Sequence, residues 1–157
     1  MKGIILDKGQ TNFTHLKEFF VKLGDFQNEY NWLITNCECY PEEKKYYDML
    51  VEGNCWLSGE QLTELVVSED PQWIWGVLSG FKKNVTEEEV RRYDEPWADG
   101  YGGFWENPVS IQHPLADIEL VSWDGSLFLA ISKNDDLIQK YKEEFPMSED
   151  LEEYNAK

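Results

Sequence analysis

The chain is short of basic residues, because its 157 residues include 14 Lys and Arg against 31 Asp and Glu, a formal net charge of −17. Such an excess of negative charge repels the phosphates of nucleic acids and the headgroups of anionic lipids. Nucleic acids and membrane surfaces are therefore excluded as direct partners. A basic protein, in contrast, is compatible with this charge.

Cysteines and long apolar runs are also scarce. Only Cys37, Cys39 and Cys55 are present, an odd number that argues against a framework of structural disulfides. The apolar run at residues 4–6 is too short for the core of a signal peptide, and no segment approaches the ~18 apolar residues that a membrane span needs. We therefore expect a cytoplasmic protein whose thiols are reduced.

Aromatic residues, in contrast, are abundant at 15% of the chain. Acidic chains that remain disordered are poor in aromatic residues, so this composition indicates a folded protein. Because the length is close to that of one typical domain and no repeat or linker is visible, we expect a single domain spanning residues 1–157. Within it, residues 148–157 are expected to form either a flexible tail or a short docked helix.

Three runs of β-type composition, at residues 3–6, 30–36 and 72–81, predict strands. The run at 72–81 is apolar on both faces, which is typical of a strand near the centre of a sheet. Alternation along it predicts that Trp73 and Trp75 face the same way. The dipeptide Asp124-Gly125 predicts a two-residue type I′ turn that joins strands at residues 117–123 and 126–132.

Helices are predicted from apolar spacing and from capping residues. The spacing that indicates the first helix is carried by Phe13, Leu16, Phe19, Phe20 and Leu23. Ser58 and Thr86 begin capping boxes, and Asn134 or Asp135 can cap a helix that ends at Pro146. Together with the strands, this order predicts the α+β class, with a mostly antiparallel sheet packed on one face by helices.

The segment at residues 93–114 is unusual because it is long, rich in Gly and Pro, and both aromatic and acidic. No Lys or Arg occurs from residue 93 to residue 132. Trp and Tyr supply rigid contact area, and neighbouring carboxylates select a basic partner. The candidate binding residues are Asp94, Glu95, Trp97, Asp99, Tyr101, Phe104, Trp105, Glu106 and His113. The structural interpretation of the same residues is a loop whose aromatic side chains cover the core beneath it.

Metal, cofactor and catalytic motifs are weak. The soft metal ligands of the chain are Cys37, Cys39, Cys55, His15 and His113. One close Cys pair and a distant third Cys do not provide the two close ligand pairs typical of structural zinc. Asp99-Gly100 lacks the alternating ligands of an EF-hand. A nucleophilic Cys55 would need His15 or His113 as its base, and nothing else in the sequence supports that arrangement. We expect no cofactor, no metal and no catalytic residue.

Four stretches, WLSGEQLTEL, QWIWGVLSGF, ADGYGGFWENP and QHPLADIELVSWDGSLFLAISK, carry a resemblance. In them the chain resembles a small family of single-domain proteins from Firmicute bacteria that has no established activity, and the resemblance extends over most of the chain from Trp32 onward. It implies no catalytic residues. In size, acidity and aromatic content the chain is also similar to the immunity proteins of bacterial toxin systems, by analogy of physical type.

These observations favour a non-enzymatic binding protein that engages a basic protein partner, as a toxin-neutralising immunity protein would. The alternative is a small-molecule or carbohydrate-binding domain, or a weak hydrolase, that uses the 93–114 segment as a pocket holding His113. A third hypothesis is a dimerising module in which the hairpin at residues 117–132 offers an edge strand. Whether the chain is a monomer or a homodimer is left open.

Overall fold

A single antiparallel sheet organises the chain in the computed structural model, which describes residues 1–9 and 14–157. Its seven strands are ordered β3-β2-β4-β5-β6-β1-β7. The strands are β1 Lys2–Leu6, β2 Tyr30–Cys39, β3 Cys55–Ser58, β4 Trp73–Lys82, β5 Ile118–Trp123, β6 Leu127–Ser132 and β7 Glu149–Asp150. The predicted α+β class and mostly antiparallel sheet are confirmed, and β4 lies inside the sheet as its apolar run predicted.

The helices are α1 Lys17–Lys22, α2 Lys44–Leu50, α3 Gly59–Glu69, α4 Glu87–Val90, α5 Asp135–Glu144 and α6 Leu151–Asn155. The four longest of these, α1, α2, α3 and α5, cover one face of the sheet, here called the helical face, whereas α4 and α6 pack on the opposite face. Phe20 of α1, Leu65 of α3 and Tyr141 of α5 are buried in one core with Trp32 and Leu120 of the sheet. Phe13, which contributed to the prediction of the first helix, lies outside the described residues. No helix in the described part of the chain is long and apolar enough to cross a membrane.

The predicted helix caps are formed. The Ser58 hydroxyl accepts a hydrogen bond from the Gln61 backbone N–H at 3.1 Å, and the Gln61 side chain accepts one from the Ser58 N–H at 2.8 Å. Thr86 forms the same reciprocal pair at the start of α4, and the Asn134 side chain caps α5. These caps satisfy N–H groups that have no partner within the first turn of a helix.

The predicted hairpin is formed, but it does not lie at the edge of the sheet. Asp124 and Gly125 have φ values of 50° and 63°, as a type I′ turn requires. However, β5 lies between β4 and β6, and β6 lies between β5 and β1. The hypothesis that this hairpin offers an edge strand for dimerisation is therefore wrong, because both strands are already paired on both sides.

Two irregularities in the β2–β4 pairing place the side chains of Trp73 and Trp75 on opposite faces of the sheet. Thr35 pairs with Val77 and Glu38 with Trp75, which leaves one extra residue in β2, and the pairing of Cys39 with Trp73 then leaves one extra residue in β4. Trp73 packs in the helical-face core, and Trp75 packs against the core of the opposite face. The prediction that these two side chains face the same way is wrong, because a β-bulge interrupts simple alternation.

The last ten residues are docked on the sheet. Glu149 and Asp150 form β7, which pairs with Ile5 and Ile4 of β1. Leu151 begins α6 and is fully buried against the face opposite the helical face. Of the two arrangements expected for residues 148–157, the structure has the docked helix.

Candidate functional site

The 93–114 segment covers the face of the sheet that the long helices leave free, here called the covered face. Its side chains Ala98, Phe104 and Val109 are buried in a second core with Val77 of β4 and Val121 of β5. The inward side of the segment therefore does what the structural interpretation expected. A sheet packed on one face by helices was predicted, and the segment, together with α4 and α6, supplies a layer on the other face.

Asn36 anchors the beginning of this segment to the sheet. This residue adopts a positive φ of 49° at the irregular part of β2, a conformation that Asn tolerates better than most residues. Its Oδ1 atom accepts hydrogen bonds from the backbone N–H groups of Ala98 at 2.8 Å and Asp99 at 3.0 Å. The sequence alone gave no indication that a polar residue within a strand would hold a loop that begins some sixty residues later.

Gln112 joins the two ends of the segment to each other. The Trp97 backbone N–H donates to Oε1 of Gln112 at 3.1 Å, and Nε2 of Gln112 donates to the Trp97 carbonyl at 2.8 Å. The Gln112 backbone N–H also donates to Oε2 of Glu119 on β5 at 3.1 Å. Three hydrogen bonds of one residue thus join the two ends of the segment to each other and to β5.

Glu119 is a buried acid in the 93–132 stretch that contains no Lys or Arg, and it was not among the predicted site residues. It is fully buried, and burial raises its pKa to about 8 in spite of the hydrogen bond from Gln112. Its Oε1 atom and the hydroxyl of Ser79, which lies opposite it on β4, have no hydrogen-bond partner among the described residues. A sequence signal existed, because alternation places Glu119 on the same side of β5 as the apolar Val121.

His113 is a structural residue and not a surface ligand. It is 1% exposed, and its ring packs against Phe81 and Tyr93. The Leu115 backbone N–H donates to Nδ1 at 3.1 Å, so the ring proton is on Nε2, which donates to the Val90 carbonyl at 2.8 Å. Burial also lowers the pKa of His113, which favours this neutral form. Its assignment as a candidate binding residue is therefore corrected, because both nitrogens are occupied.

The outer surface of the segment carries exposed aromatic rings beside carboxylates. Trp97 is 42% exposed, and its ring centroid lies 4.5 Å from that of Tyr101. The two rings border a depression of ≈ 270 Å³, the acidic depression, which is lined by Asp94, Glu95, Pro96, Trp97, Tyr101 and Gln112. Burial and the charges of Glu119 and Glu106 raise the pKa of Tyr101.

The carboxylates of this surface differ in how far they are neutralised. Glu95 accepts a hydrogen bond from the Asn54 amide, whose oxygen accepts one from Arg91 at 3.0 Å. Asp94, Asp99 and Glu106 are exposed and form no ion pair within residues 1–9 and 14–157. Their negative charge is therefore available to a partner.

The nine predicted site residues divide into three groups. The acidic depression is lined by Asp94, Glu95, Trp97 and Tyr101. Asp99 does not line it but is exposed and lies two residues after Trp97 in the chain. Phe104, like His113, lies below the surface at 1% exposure, so it contributes packing and no contact area; its assignment is also corrected. Trp105 lines a different cavity, and Glu106 follows it in the chain.

That second cavity, here called the aromatic pocket, was not predicted. It has a volume of ≈ 440 Å³ and is lined by Trp105, Trp123, Leu127, Tyr154 and Asn155. Trp105 lies 5.2 Å from Trp123 and 6.2 Å from Tyr154, measured between ring centroids. These three aromatic residues are far apart in the sequence, and only the docking of α6 brings Tyr154 to the other two.

A third depression of ≈ 540 Å³ lies away from both and includes Tyr40, Pro71 and Glu69 in its lining. The Glu69 carboxylate is already engaged there, because it accepts hydrogen bonds from the backbone N–H groups of Glu42 at 2.7 Å and Glu43 at 3.2 Å. The role of Glu69 is to hold the start of α2 against α3. This depression is therefore not the better candidate site, although its volume is larger than the volumes of the other two.

The three cysteines are free thiols, and Cys39 is buried in the helical-face core. Burial raises the pKa of Cys37 and of Cys55 to about 12, which keeps these thiols protonated and unreactive. No group of three or more His, Cys, Asp or Glu side chains in the described part of the chain is arranged to hold a metal ion.

Comparisons with protein-family models, with curated proteins and with solved structures gave no match for the chain. Function is therefore inferred from the geometry and electrostatics of these surfaces.

Proposed function

We propose that the chain is a cytosolic, non-enzymatic binding protein that engages a basic protein partner through the acidic depression and the exposed residues around it. The observation that carries this proposal is the exposure of Trp97, at 42%, beside the carboxylates of Asp94 and Asp99, which form no ion pair with any residue that the structure describes. A large exposed aromatic ring that is held rigidly is typical of the residues that contribute most to protein interfaces.

Rigidity supports this function because it lowers the cost of binding. Gln112 holds the backbone of Trp97, and Asn36 holds the next two residues, with hydrogen bonds of 2.8 to 3.1 Å. A surface that is already ordered loses little conformational entropy when a partner binds. The net charge of −17 would steer a basic partner towards this surface, and burial of Trp97 and Tyr101 would then hold it.

The small volume of the depression favours a protein over a small molecule as the partner. Its volume of ≈ 270 Å³ is below the ~300 to 1,000 Å³ of typical small-molecule pockets. The alternative function required a cleft that contains His113, and that side chain is buried beneath the surface. The partner that we propose is a basic toxin whose active site this surface covers, as immunity proteins do.

The test begins with capture of partners from cells of the source organism at low salt, followed by purification of the captured basic protein. Its association and dissociation rates are then measured with the native chain, with Trp97→Ala and with the double variant Asp94→Asn/Asp99→Asn. The control is Glu143→Gln/Glu144→Gln, which removes the same charge from exposed positions on α5.

We expect the Asp94→Asn/Asp99→Asn variant to slow association and to weaken its salt dependence, since steering depends on these charges. We expect Trp97→Ala to increase the dissociation rate by about tenfold or more, as loss of an aromatic anchor does. The α5 control should resemble the native chain. Equal effects of the control and the site variants, or a captured partner that is acidic, would overturn the proposal.

A further inference from the structure

The aromatic pocket has walls that meet at steep angles. The planes of Trp105 and Trp123 are inclined by 81°, and those of Trp105 and Tyr154 by 49°. Parallel rings would form a slot for a flat ligand, whereas inclined rings form a corner that suits a rounded group. The volume of ≈ 440 Å³ lies within the range typical of small-molecule pockets.

Each of the three aromatic residues that line the pocket has an exposed acidic residue next to it in the sequence. Glu106 follows Trp105, Asp124 follows Trp123 and Glu153 precedes Tyr154, and all three acids are exposed. None of them forms an ion pair within the described residues, and no Lys or Arg lines the pocket. These acidic residues, in a chain with a net charge of −17, favour a cationic ligand over an anionic one.

A cation already lies against one of these rings. Nζ of Lys157 is 5.3 Å from the centroid of the Tyr154 ring, a typical cation–π distance. The same ammonium group forms an ion pair with Glu149 at 2.9 Å, so it is held at this position by its own partner. The faces of Trp105 and Trp123 have no such cation among the described residues.

The pocket offers few hydrogen bonds to a polar ligand. Asn155 is the one amide among its lining residues; its Nδ2 group already donates to the Phe104 carbonyl at 3.0 Å, and its Oδ1 atom is buried without a hydrogen-bond partner among the described residues. A sugar needs many donors and acceptors around its hydroxyl groups, and one amide oxygen without a partner does not supply them. A methylated ammonium group needs none, because it binds to the faces of aromatic rings.

We propose that the aromatic pocket binds an organic cation with a methylated ammonium head, such as a quaternary ammonium group. Trp105, Trp123 and Tyr154 supply the ring faces, and the neighbouring carboxylates supply the negative potential. This site is separate from the acidic depression, so the proposal does not depend on the basic protein partner.

The test compares choline with 3,3-dimethylbutan-1-ol, which has the same shape but no charge. Binding is followed by NMR through the indole N–H resonances of Trp105 and Trp123. We expect choline to bind about tenfold more tightly than the neutral analogue, and we expect the Trp97 resonance to stay unchanged. Equal affinities, or shifts at Trp97 as large as those at Trp105, would overturn the proposal.

Two variants separate cation–π binding from burial of apolar surface. Trp105→Leu and Tyr154→Leu keep an apolar wall but remove the ring, so they should weaken choline binding several-fold and leave the neutral analogue nearly unaffected. Trp97→Leu is the control, since Trp97 lies at the acidic depression. Thermal unfolding of each variant checks that the fold is retained. If a folded variant bound choline and the neutral analogue more weakly than the native chain does, by the same factor, the result would contradict a cation site.

A third variant, at Lys157, is expected to change the affinity for choline in the opposite direction. Its ammonium group lies beside the pocket and repels a second cation, so Lys157→Met should strengthen choline binding by about two- to fivefold. Weaker binding of choline by this variant would argue against a cation in this pocket.

A methylated ammonium head occurs both in free molecules and on trimethyllysine side chains. A second set of binding measurements, with peptides, distinguishes the two sources. The probe is a short neutral peptide with one trimethyllysine, compared with the same peptide carrying unmodified lysine. Tighter binding of the trimethylated peptide than of choline assigns the site to protein side chains, and tighter binding of choline assigns it to free molecules. Binding of neither trimethylated probe would overturn the proposal.

Discussion

Glu119→Gln is expected to change how the stability of the protein depends on pH. Glu119 is fully buried, and its pKa is raised from 4.5 to about 8 by burial. Between these two values the folded protein keeps a proton that the unfolded chain releases. Because the folded state then binds more protons than the unfolded state, its stability falls as the pH rises from about 4.5 to about 8.

The size of this effect follows from the two pKa values. Each pH unit well inside the interval corresponds to about 1.4 kcal/mol and less near its ends, so the loss of unfolding free energy between pH 5 and pH 8 is about 3 to 4 kcal/mol. Domains of this size have total stabilities of roughly 5 to 15 kcal/mol, so the loss is a large fraction. Glutamine does not ionise, and its side-chain oxygen can still accept the hydrogen bond that the Gln112 N–H donates to Glu119.

The assay is urea unfolding of the native chain and Glu119→Gln at pH 5, 6, 7 and 8. Other titrating groups affect both proteins equally, so the difference between the two curves isolates Glu119. We expect the native chain to lose about 3 to 4 kcal/mol more than the variant over this range. The control Glu144→Gln removes one exposed carboxylate from α5 and should behave as the native chain does.

Parallel pH profiles of the native chain and Glu119→Gln would refute this reasoning. They would mean that Glu119 is ionised in the folded state, with a partner or a water molecule that lowers its pKa. A carbon NMR titration of the Glu119 carboxyl group provides an independent check, since the midpoint should lie near pH 8.

Two further predictions concern stability. Asn36→Gly tolerates the φ of 49° but removes the acceptor for the N–H groups of Ala98 and Asp99, so it should cost about 2 kcal/mol in urea unfolding. Asn36→Asp keeps that acceptor and should cost clearly less; equal costs would show that these hydrogen bonds contribute little. Leu151→Ala should cost about 2 to 5 kcal/mol and expose α6 to proteolysis, because Leu151 is fully buried. Val67→Ala, at a position that is 55% exposed, is its control, and similar losses in both variants would contradict the docking of α6.

The sequence predicted those features that depend on neighbours in the chain. Ser58 with Gln61 begins α3, and Asp124-Gly125 forms the hairpin turn, because both motifs satisfy their geometry within a few residues. The apolar run of β4 identified an internal strand, because only a strand covered on both faces can bury so many apolar side chains. The prediction for Trp73 and Trp75 was wrong because a bulge depends on the partner strand as well as on the strand itself.

The candidate site was predicted in position but not in detail. Composition located the 93–114 segment, since aromatic and acidic residues without a basic residue stand out in any window. Composition gave no indication of which side chains point inward, because a loop has no fixed periodicity from which to read its faces. Phe104 and His113 were therefore assigned to the surface, although the fold buries both.

The sequence by itself determined the net charge of −17, the α+β class and the segment in which the acidic aromatic surface lies. These properties are sums over residues or depend on short-range geometry. Tertiary structure alone decided that Glu119 is buried, that Asn36 holds the segment in place and that Tyr154 meets Trp105 and Trp123. Each of these results depends on residues that are distant in the chain and become neighbours only when the sheet and its two covering layers have formed.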